Sequence, residues 1–124
     1  WIVEKFRDWS DCDGKVERRF TKDELLTNLT VYWATETFLS AARLYYEAKK
    51  APVQFKRNDF VKVPTGIARF PVEAPFPPRR WVERCYNVQR WTDMPSGGHF
   101  PALEEPELLA KDIREFFRPL RGSS

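Results

Sequence analysis

The residue in this sequence best suited to move a proton near neutral pH is His99, the only histidine among 124 residues. It follows two glycines, Gly97 and Gly98, in a turn that we expect to join a strand to a helix. Loops at the C-terminal ends of strands in α/β proteins are where catalytic groups collect. His99 is therefore a candidate general base, and the alternative is a loop histidine with no chemical role.

Glu73 is a candidate partner for this histidine. It lies just beyond an expected strand, 26 residues before His99, a spacing that suits two neighbouring strand-end loops with a short helix between them. A carboxylate that holds an imidazole in one tautomer and stabilises the imidazolium is the third member of a catalytic triad. Considered alone, Glu73 would instead be a solvated loop carboxylate.

Tyr45 is the third candidate. It continues the helical face of Phe38 and Ala42. A phenol at the rim of a cavity can donate a hydrogen bond to an oxygen that is gaining negative charge. The alternative is a tyrosine that packs in the core with its hydroxyl satisfied.

The sequence offers no clear nucleophile to complete this set. It has no Gly-x-Ser-x-Gly motif, and Ser96 is too near His99 in sequence to reach the imidazole comfortably. Cys85 falls in a segment, 81–86, that we expect to be a short packed helix. The candidate residues therefore need a reactive partner from outside this stretch of sequence.

Helices dominate the first part of the chain. The spacing of Trp1, Ile2, Phe6 and Trp9 predicts a helix, and because it looks cut part-way we expect the chain to be the later part of a longer protein. A capping box begins a second helical region at residue 21, and this region extends to about residue 50. The weak helix propensity of residues 35–37 would allow it to divide into two helices.

The second part of the chain has α/β character. Residues 60–63 predict a short strand that ends at Pro64-Thr65-Gly66, and residues 88–92 predict another strand. Acidic residues and Pro106 mark the start of a final amphipathic helix. Two short strands make a poor sheet alone, so we expect them to be edge strands of a larger sheet.

Composition excludes several function classes. The net charge of +3 comes from interleaved signs without a basic stripe, so we expect no nucleic-acid partner. One histidine and two cysteines cannot close a structural zinc site. We expect Cys12 and Cys85 to be free thiols in a reducing compartment, and no apolar run approaches the length of a membrane span.

Several segments together resemble the microsomal-type epoxide hydrolases. Two of them contain the candidate residues Glu73 and His99, and a third contains Tyr45. The similarity spans nearly the whole chain in the right order, through residues 20–28, 32–35, 42–47, 63–66, 70–73, 97–100 and 104–110. The resemblance implies an α/β-hydrolase fold, with residues 1–50 as a helical lid segment and 51–124 as the C-terminal part of the core.

The resemblance also assigns roles. His99 matches the catalytic base, Glu73 the acid that orients it, and Tyr45 one of two lid tyrosines. In such proteins the nucleophile, an aspartate, and the second tyrosine precede the matching segment, so the resemblance implies that both lie upstream of Trp1. The implied partners are a small apolar epoxide, water and the N-terminal part of the same hydrolase; no metal or organic cofactor is implied, and self-association stays open.

Two alternative functions stay open. A serine-type ester hydrolase or a haloalkane hydrolase would use the same histidine and acid, and a non-enzymatic helical binding module would use none of them. Relatives tend to carry glycine where Glu36 stands. Because we expect a glutamate to avoid positive φ, we also expect a shallower bend between the lid helices. We expect a cytoplasmic protein, or a membrane-associated one if the complete protein carries an N-terminal anchor.

Overall fold

The computed structural model describes residues 1–73 and 75–121. Its α-helices and strands, in chain order, are α1 (Ile2–Trp9), α2 (Lys22–Ala34), α3 (Phe38–Lys50), β1 (Val61–Arg69), α4 (Arg79–Val82), β2 (Tyr86–Asp93), α5 (Pro101–Glu104) and α6 (Pro106–Phe117). Short 3₁₀ turns follow α1, at Val16–Arg18, and α6, at Pro119–Arg121. The predicted helix–strand–helix order is thus present.

The second helical region begins and divides where the sequence predicts. The Thr21 side chain accepts a hydrogen bond from the Glu24 amide, and the Glu24 carboxylate accepts one from the Thr21 amide. The division between α2 and α3 falls at Glu36, whose φ is +55°. The expectation that a glutamate avoids positive φ here is wrong: this backbone takes the left-handed conformation that glycine adopts most readily.

The strands β1 and β2 pair in parallel, as two neighbouring strands of an α/β sheet do. The expected end of the first strand at Pro64-Thr65-Gly66 is wrong, because β1 continues to Arg69. The register shifts once between Val61 and Pro64 and again between Thr65 and Gly66. The pairing therefore continues past Pro64, although Pro64 has no N–H to donate. The predicted helix at 81–86 is also shorter and earlier, at Arg79–Val82.

Helix α6 is fixed to the sheet by a buried polar contact. The Asp112 carboxylate accepts hydrogen bonds from Arg90 Nε (2.7 Å) and from the Thr92 hydroxyl (2.7 Å), both on β2. The Phe116 ring packs against Gly66 of β1 so closely that a Cβ there would lie 2.9 Å from it. These contacts fix the strands whose ends bear the candidate residues.

A small aromatic core joins α1 to the loop that contains His99. Phe6, Phe20 and Leu25 are buried together. The Phe100 ring, next to His99, stacks on Phe6 with 4.4 Å between centroids. The first helix is thereby packed beside the histidine loop, which the sequence alone does not indicate.

Within the described residues, Cys12 and Cys85 are free thiols, as expected. None of the helices in 1–73 and 75–121 is long and apolar enough to cross a membrane.

Candidate active site

The structure brings His99 and Glu73 into contact. Imidazole Nδ1 lies 3.0 Å from Glu73 Oε2 and 3.2 Å from Oε1. Both side chains are partly open to solvent, 44% exposed for His99 and 30% for Glu73. An ionised carboxylate only accepts hydrogen bonds, so in the neutral ring Nδ1 carries the proton and Nε2 presents a lone pair. Such an imidazole can take a proton from water.

The two loops that carry this pair follow the C-terminal ends of β1 and β2. The Met94 amide, after β2, donates to the Arg69 carbonyl at the end of β1 (2.8 Å). Farther along, the Val72 amide donates to the Gly97 carbonyl (3.2 Å). Because parallel strands end at the same sheet edge, these bonds hold the residues before Glu73 and His99 side by side.

Both glycines before His99 are required by their surroundings. Gly97 has a φ of +101°, a conformation that side chains with a Cβ rarely adopt. At Gly98 a Cβ would lie 2.5 Å from the Trp9 carbonyl oxygen. That close approach lets the His99 amide donate to the same oxygen at 2.8 Å. The histidine is therefore held by its own backbone to the end of α1.

Tyr45 lines a cavity of about 420 Å³. Its ring packs edge-on against Trp1 (5.5 Å between centroids), and Phe38 and Ala42 line the same cavity, as their shared face predicts. Trp9 also lines it and makes an edge contact with the His99 ring (4.9 Å). Trp9 therefore contacts both the tyrosine's cavity and the imidazole.

A lysine that sequence reasoning did not single out completes this cavity. Lys5 Nζ lies 5.6 Å from the Trp1 ring and 5.2 Å from the Trp9 ring. It also donates to the Glu4 carboxylate at 2.8 Å, and this hydrogen bond raises the pKa of Lys5 above its ordinary value. The cavity wall is therefore aromatic with one ammonium group, which stays charged at neutral pH.

Two acidic residues near the histidine have roles that the sequence did not reveal. Glu104 is one of the acidic residues that predict the start of the last helix, but it ends α5 and is only 8% exposed. Its carboxylate accepts hydrogen bonds from the amides of Asp11 (2.7 Å) and Phe100 (2.9 Å). The sequence around Asp11 indicates only a turn. In the structure, Asp11 Oδ2 accepts a hydrogen bond from the Gly97 amide (3.0 Å). The two contacts of Asp11 have no local sequence signal, because their partners lie 93 and 86 residues away, whereas Phe100 and Glu104 are only four residues apart.

Arg19 joins the same group of residues. It donates to the Asp11 carbonyl (2.6 Å), to the Asp11 carboxylate (3.0 Å) and to Glu105 (3.0 Å). Partial burial disfavours the charged guanidinium, but the hydrogen bond to Glu105 and the attraction of Asp11 outweigh it and raise the pKa of Arg19. The turn after α1 is thereby tied to the segment that follows His99.

Metal ligands are not clustered in the described ranges. Within 1–73 and 75–121, no group of three histidine, cysteine or acidic side chains is arranged to hold a metal ion.

Comparison with known proteins finds chains of similar sequence and structure. No protein-family model matches the sequence. Epoxide hydrolase 1 of Sus scrofa is 45% identical over 119 residues, which is 94% of this chain. The crystal structure of juvenile hormone epoxide hydrolase from Bombyx mori superposes with a TM-score of 0.81 at 32% identity, over 98% of this chain.

The chain matches the C-terminal part of epoxide hydrolases of the α/β-hydrolase fold. An enantioselective mutant of the Aspergillus niger epoxide hydrolase is also similar, with a TM-score of 0.76 and 31% identity over 96% of this chain. The chain spans about a quarter of the pig enzyme (26%) and a third of the Bombyx mori chain (33%). The expected family resemblance and fold class are confirmed.

The similarity to these hydrolases accounts for the short parallel sheet. β1 and β2 are consistent with part of an α/β domain whose other strands lie outside this segment. The division into a lid segment at 1–50 and a core at 51–124 stays a prediction. So do the catalytic roles of His99, Glu73 and Tyr45.

Proposed function

We propose that this chain supplies the base, the orienting acid and one tyrosine of an enzyme that opens epoxides to vicinal diols. The observation that carries the proposal is the contact between His99 Nδ1 and the Glu73 carboxylate, in a chain that matches epoxide hydrolases. The nucleophile is an aspartate from the N-terminal part of the same hydrolase. Water and a small apolar epoxide are the substrates.

The first step forms a covalent ester. The aspartate carboxylate attacks one epoxide carbon, the bond from that carbon to the epoxide oxygen breaks, and the oxygen takes the electron pair. Tyr45 and a second tyrosine donate hydrogen bonds to this oxygen, and one of them transfers its proton, because an unassisted alkoxide is a poor leaving group. The product is a hydroxyalkyl ester of the enzyme.

The second step hydrolyses this ester. His99 Nε2 takes a proton from water, and the hydroxide adds to the ester carbonyl. The diol leaves and the aspartate is regenerated, while the imidazolium returns its proton to the tyrosinate. Glu73 stabilises the imidazolium through Nδ1. A positioned base of this kind contributes about 10²–10⁴-fold to the rate.

The cavity beside Tyr45 supports an apolar substrate. Its walls include the rings of Trp1, Trp9 and Phe38, and its volume is about 420 Å³. Aromatic walls with few polar groups favour burial of apolar surface, while the tyrosine provides the directional hydrogen bond. A cytoplasmic location, or an association with membranes through an N-terminal anchor of the complete protein, belongs to the same proposal.

The test uses a chimaera in which this chain replaces the matching segment of pig epoxide hydrolase 1. With His99→Ala, an epoxide should alkylate the nucleophile while ester hydrolysis slows, so rapid-quench mass spectrometry should detect a covalent adduct. The unchanged chimaera should release diol and accumulate less adduct. A folded chimaera that opens no epoxide, or a His99→Ala variant without adduct, would contradict the proposal.

The role of Tyr45 separates epoxide opening from other hydrolase chemistry. Tyr45→Phe should slow adduct formation by about 10²-fold, since it removes one donor to the developing alkoxide. Tyr46→Phe is the matched control: this neighbouring ring is 58% exposed and lies under Lys50 Nζ at 4.3 Å. Equal rates in both variants would favour ester or haloalkane hydrolysis, which do not need this phenol.

A further inference from the structure

We propose that Glu104 is a positioning residue, which holds His99 against Glu73 and so controls the ester-hydrolysis step. This inference rests on the proposed function. Glu104 lies five residues after His99 and is the buried carboxylate beside the histidine loop. It acts through the backbone around His99, since it accepts from the Phe100 amide.

The two carboxylate oxygens of Glu104 bond to amides from distant parts of the chain. Oε1 accepts from the Phe100 amide, the residue directly after His99 (2.9 Å). Oε2 accepts from the Asp11 amide, 93 residues away (2.7 Å). Hydrogen bonds that a charged carboxylate accepts are stronger than those between neutral groups, and Glu104 accepts two of them. Glu104 therefore fastens the turn after α1 to the residue that follows the histidine.

Asp11 completes this hold on the other side of His99. Its Oδ2 accepts from the Gly97 amide at 3.0 Å, two residues before the imidazole. The His99 amide itself donates to the Trp9 carbonyl at 2.8 Å. The backbone amides of residues 97, 99 and 100 are thus bonded to acceptors in the 9–11 turn or on Glu104. This arrangement restricts rotation of the loop that aims His99 at Glu73.

The two chemical steps depend on this arrangement to different degrees. Ester formation needs the aspartate and Tyr45, whereas ester hydrolysis needs His99 aimed at water. A displacement of the imidazole by about 1 Å costs on the order of 10²-fold in the step that uses it. Loss of Glu104 should therefore slow hydrolysis while ester formation continues. A merely structural role would reduce the amount of active enzyme and leave the ratio of the two rates unchanged.

The kinetic test compares Glu104→Ala with Glu104→Gln in the chimaera defined above. In Glu104→Ala, single-turnover measurements should show hydrolysis slowed by about 10²-fold and ester formation changed by less than about threefold. Since the ester then accumulates, kcat and KM should fall together and kcat/KM should stay nearly constant. Glu104→Gln keeps one acceptor oxygen and should restore part of the hydrolysis rate.

Glu107→Gln is the matched control, because this carboxylate is exposed in the first turn of α6 and outside the proposed site. Its two rates should equal those of the unchanged chimaera. Equal slowing of both steps in Glu104→Ala, or an unchanged hydrolysis rate in the folded variant, would overturn the positioning role.

A spectroscopic test does not depend on turnover. In the chimaera labelled with ¹⁵N-histidine, the His99 signals are assigned by their loss in His99→Gln. The unchanged chimaera should show one tautomer with the proton on Nδ1, and Glu104→Ala should show a mixture of tautomers. One tautomer in both would overturn the inference. If the chimaera opens no epoxide, the proposed function fails while this spectrum still decides the role of Glu104.

Discussion

At His99, the chemistry depends on which ring nitrogen carries the proton. The Glu73 carboxylate at 3.0 Å from Nδ1 favours the tautomer whose Nε2 can accept a proton from water. In the proposed mechanism, the carboxylate also stabilises the imidazolium that forms in that step. The proposed role of this pair therefore depends on its geometry more than on burial. Because both side chains are partly exposed, water can reach the imidazole.

Glu73→Gln tests this tautomer argument. The new amide would donate from its NH₂ to Nδ1, which moves the ring proton to Nε2 and removes the lone pair that accepts from water. We expect ester hydrolysis in the chimaera to slow by about 10²–10⁴-fold, with little change in ester formation. Stopped-flow measurement of both steps checks this.

Glu83→Gln is the comparison for this variant, because Glu83 forms an exposed ion pair with Arg79. Its rates should match those of the unchanged chimaera. If Glu73→Gln hydrolysed the ester at an unchanged rate, the orienting role of Glu73 would be wrong.

At the scale of single elements, the junction of α2 and α3 stores backbone strain. Glu36 has a φ of +55°, where a Cβ crowds the backbone and costs roughly 1–2 kcal/mol. Glycine would remove this strain but would lose more chain entropy on folding. We expect Glu36→Gly to raise the free energy of unfolding of the chimaera by about 0.5–1 kcal/mol, measured by urea denaturation.

Ala41→Gly, within α3, is the control for the glycine effect itself. This residue is exposed and helical, so glycine gains nothing there and should lower the free energy of unfolding by about 1 kcal/mol. A loss of stability in both variants would show that the left-handed residue at position 36 is not strained.

The capping box of α2 makes this helix sensitive to acid. Hydrogen bonds from the Thr21 amide and hydroxyl favour the charged carboxylate and lower the pKa of Glu24 below its ordinary value of 4.5. A lowered folded-state pKa stabilises the protein at pH values above the ordinary pKa. That stabilisation disappears as the pH falls through the lower, folded-state pKa.

Urea denaturation across a pH series checks this expectation. Glu24→Gln keeps a neutral acceptor that does not titrate, so the advantage of the unchanged chimaera over this variant should shrink on acidification. A difference that stays constant from neutral to acidic pH would mean that the Glu24 carboxylate does not contribute through its charge.

The element scale also shows how far local patterns predict structure. The Thr21–Glu24 capping box and Pro106 each mark a helix start correctly, because their hydrogen bonds and dihedral preferences act within one helical turn. Pro64 gave a wrong strand end, because its missing N–H matters only where a neighbouring strand needs a donor. The register shifts on either side supply that accommodation, and they depend on β2.

At the scale of the whole molecule, much apolar surface remains exposed. Trp33 is 88% exposed, Leu39 81% and Val53 89%, and the parallel pair β1–β2 has sheet edges that neighbouring strands would normally cover. By contrast, the core cluster of Phe6, Phe20 and Leu25 is small. These features fit a segment that is stabilised by the rest of a hydrolase domain.

We therefore expect the 124-residue chain alone to bind the dye 8-anilinonaphthalenesulfonate and to self-associate. Co-expression with the remaining part of pig epoxide hydrolase 1 should yield a complex that binds less dye. Size-exclusion chromatography with light scattering, together with dye fluorescence, measures both effects. A monomer that unfolds cooperatively and binds no dye would instead favour an independent helical binding module.

The sequence by itself determined the starts of α2 and α6, the α/β character and the identity of the candidate residues. Capping, proline positions and helical periodicity are local, and the motifs around Glu73, Tyr45 and His99 are short enough to read directly. Only the tertiary structure decided that Glu73 contacts His99, that the Trp9 carbonyl accepts from the His99 amide, and that Glu104 accepts from the Asp11 amide. The physical reason is chain separation: bonds between residues 26 to 93 positions apart form only when strands and helices have packed, and no local pattern encodes them.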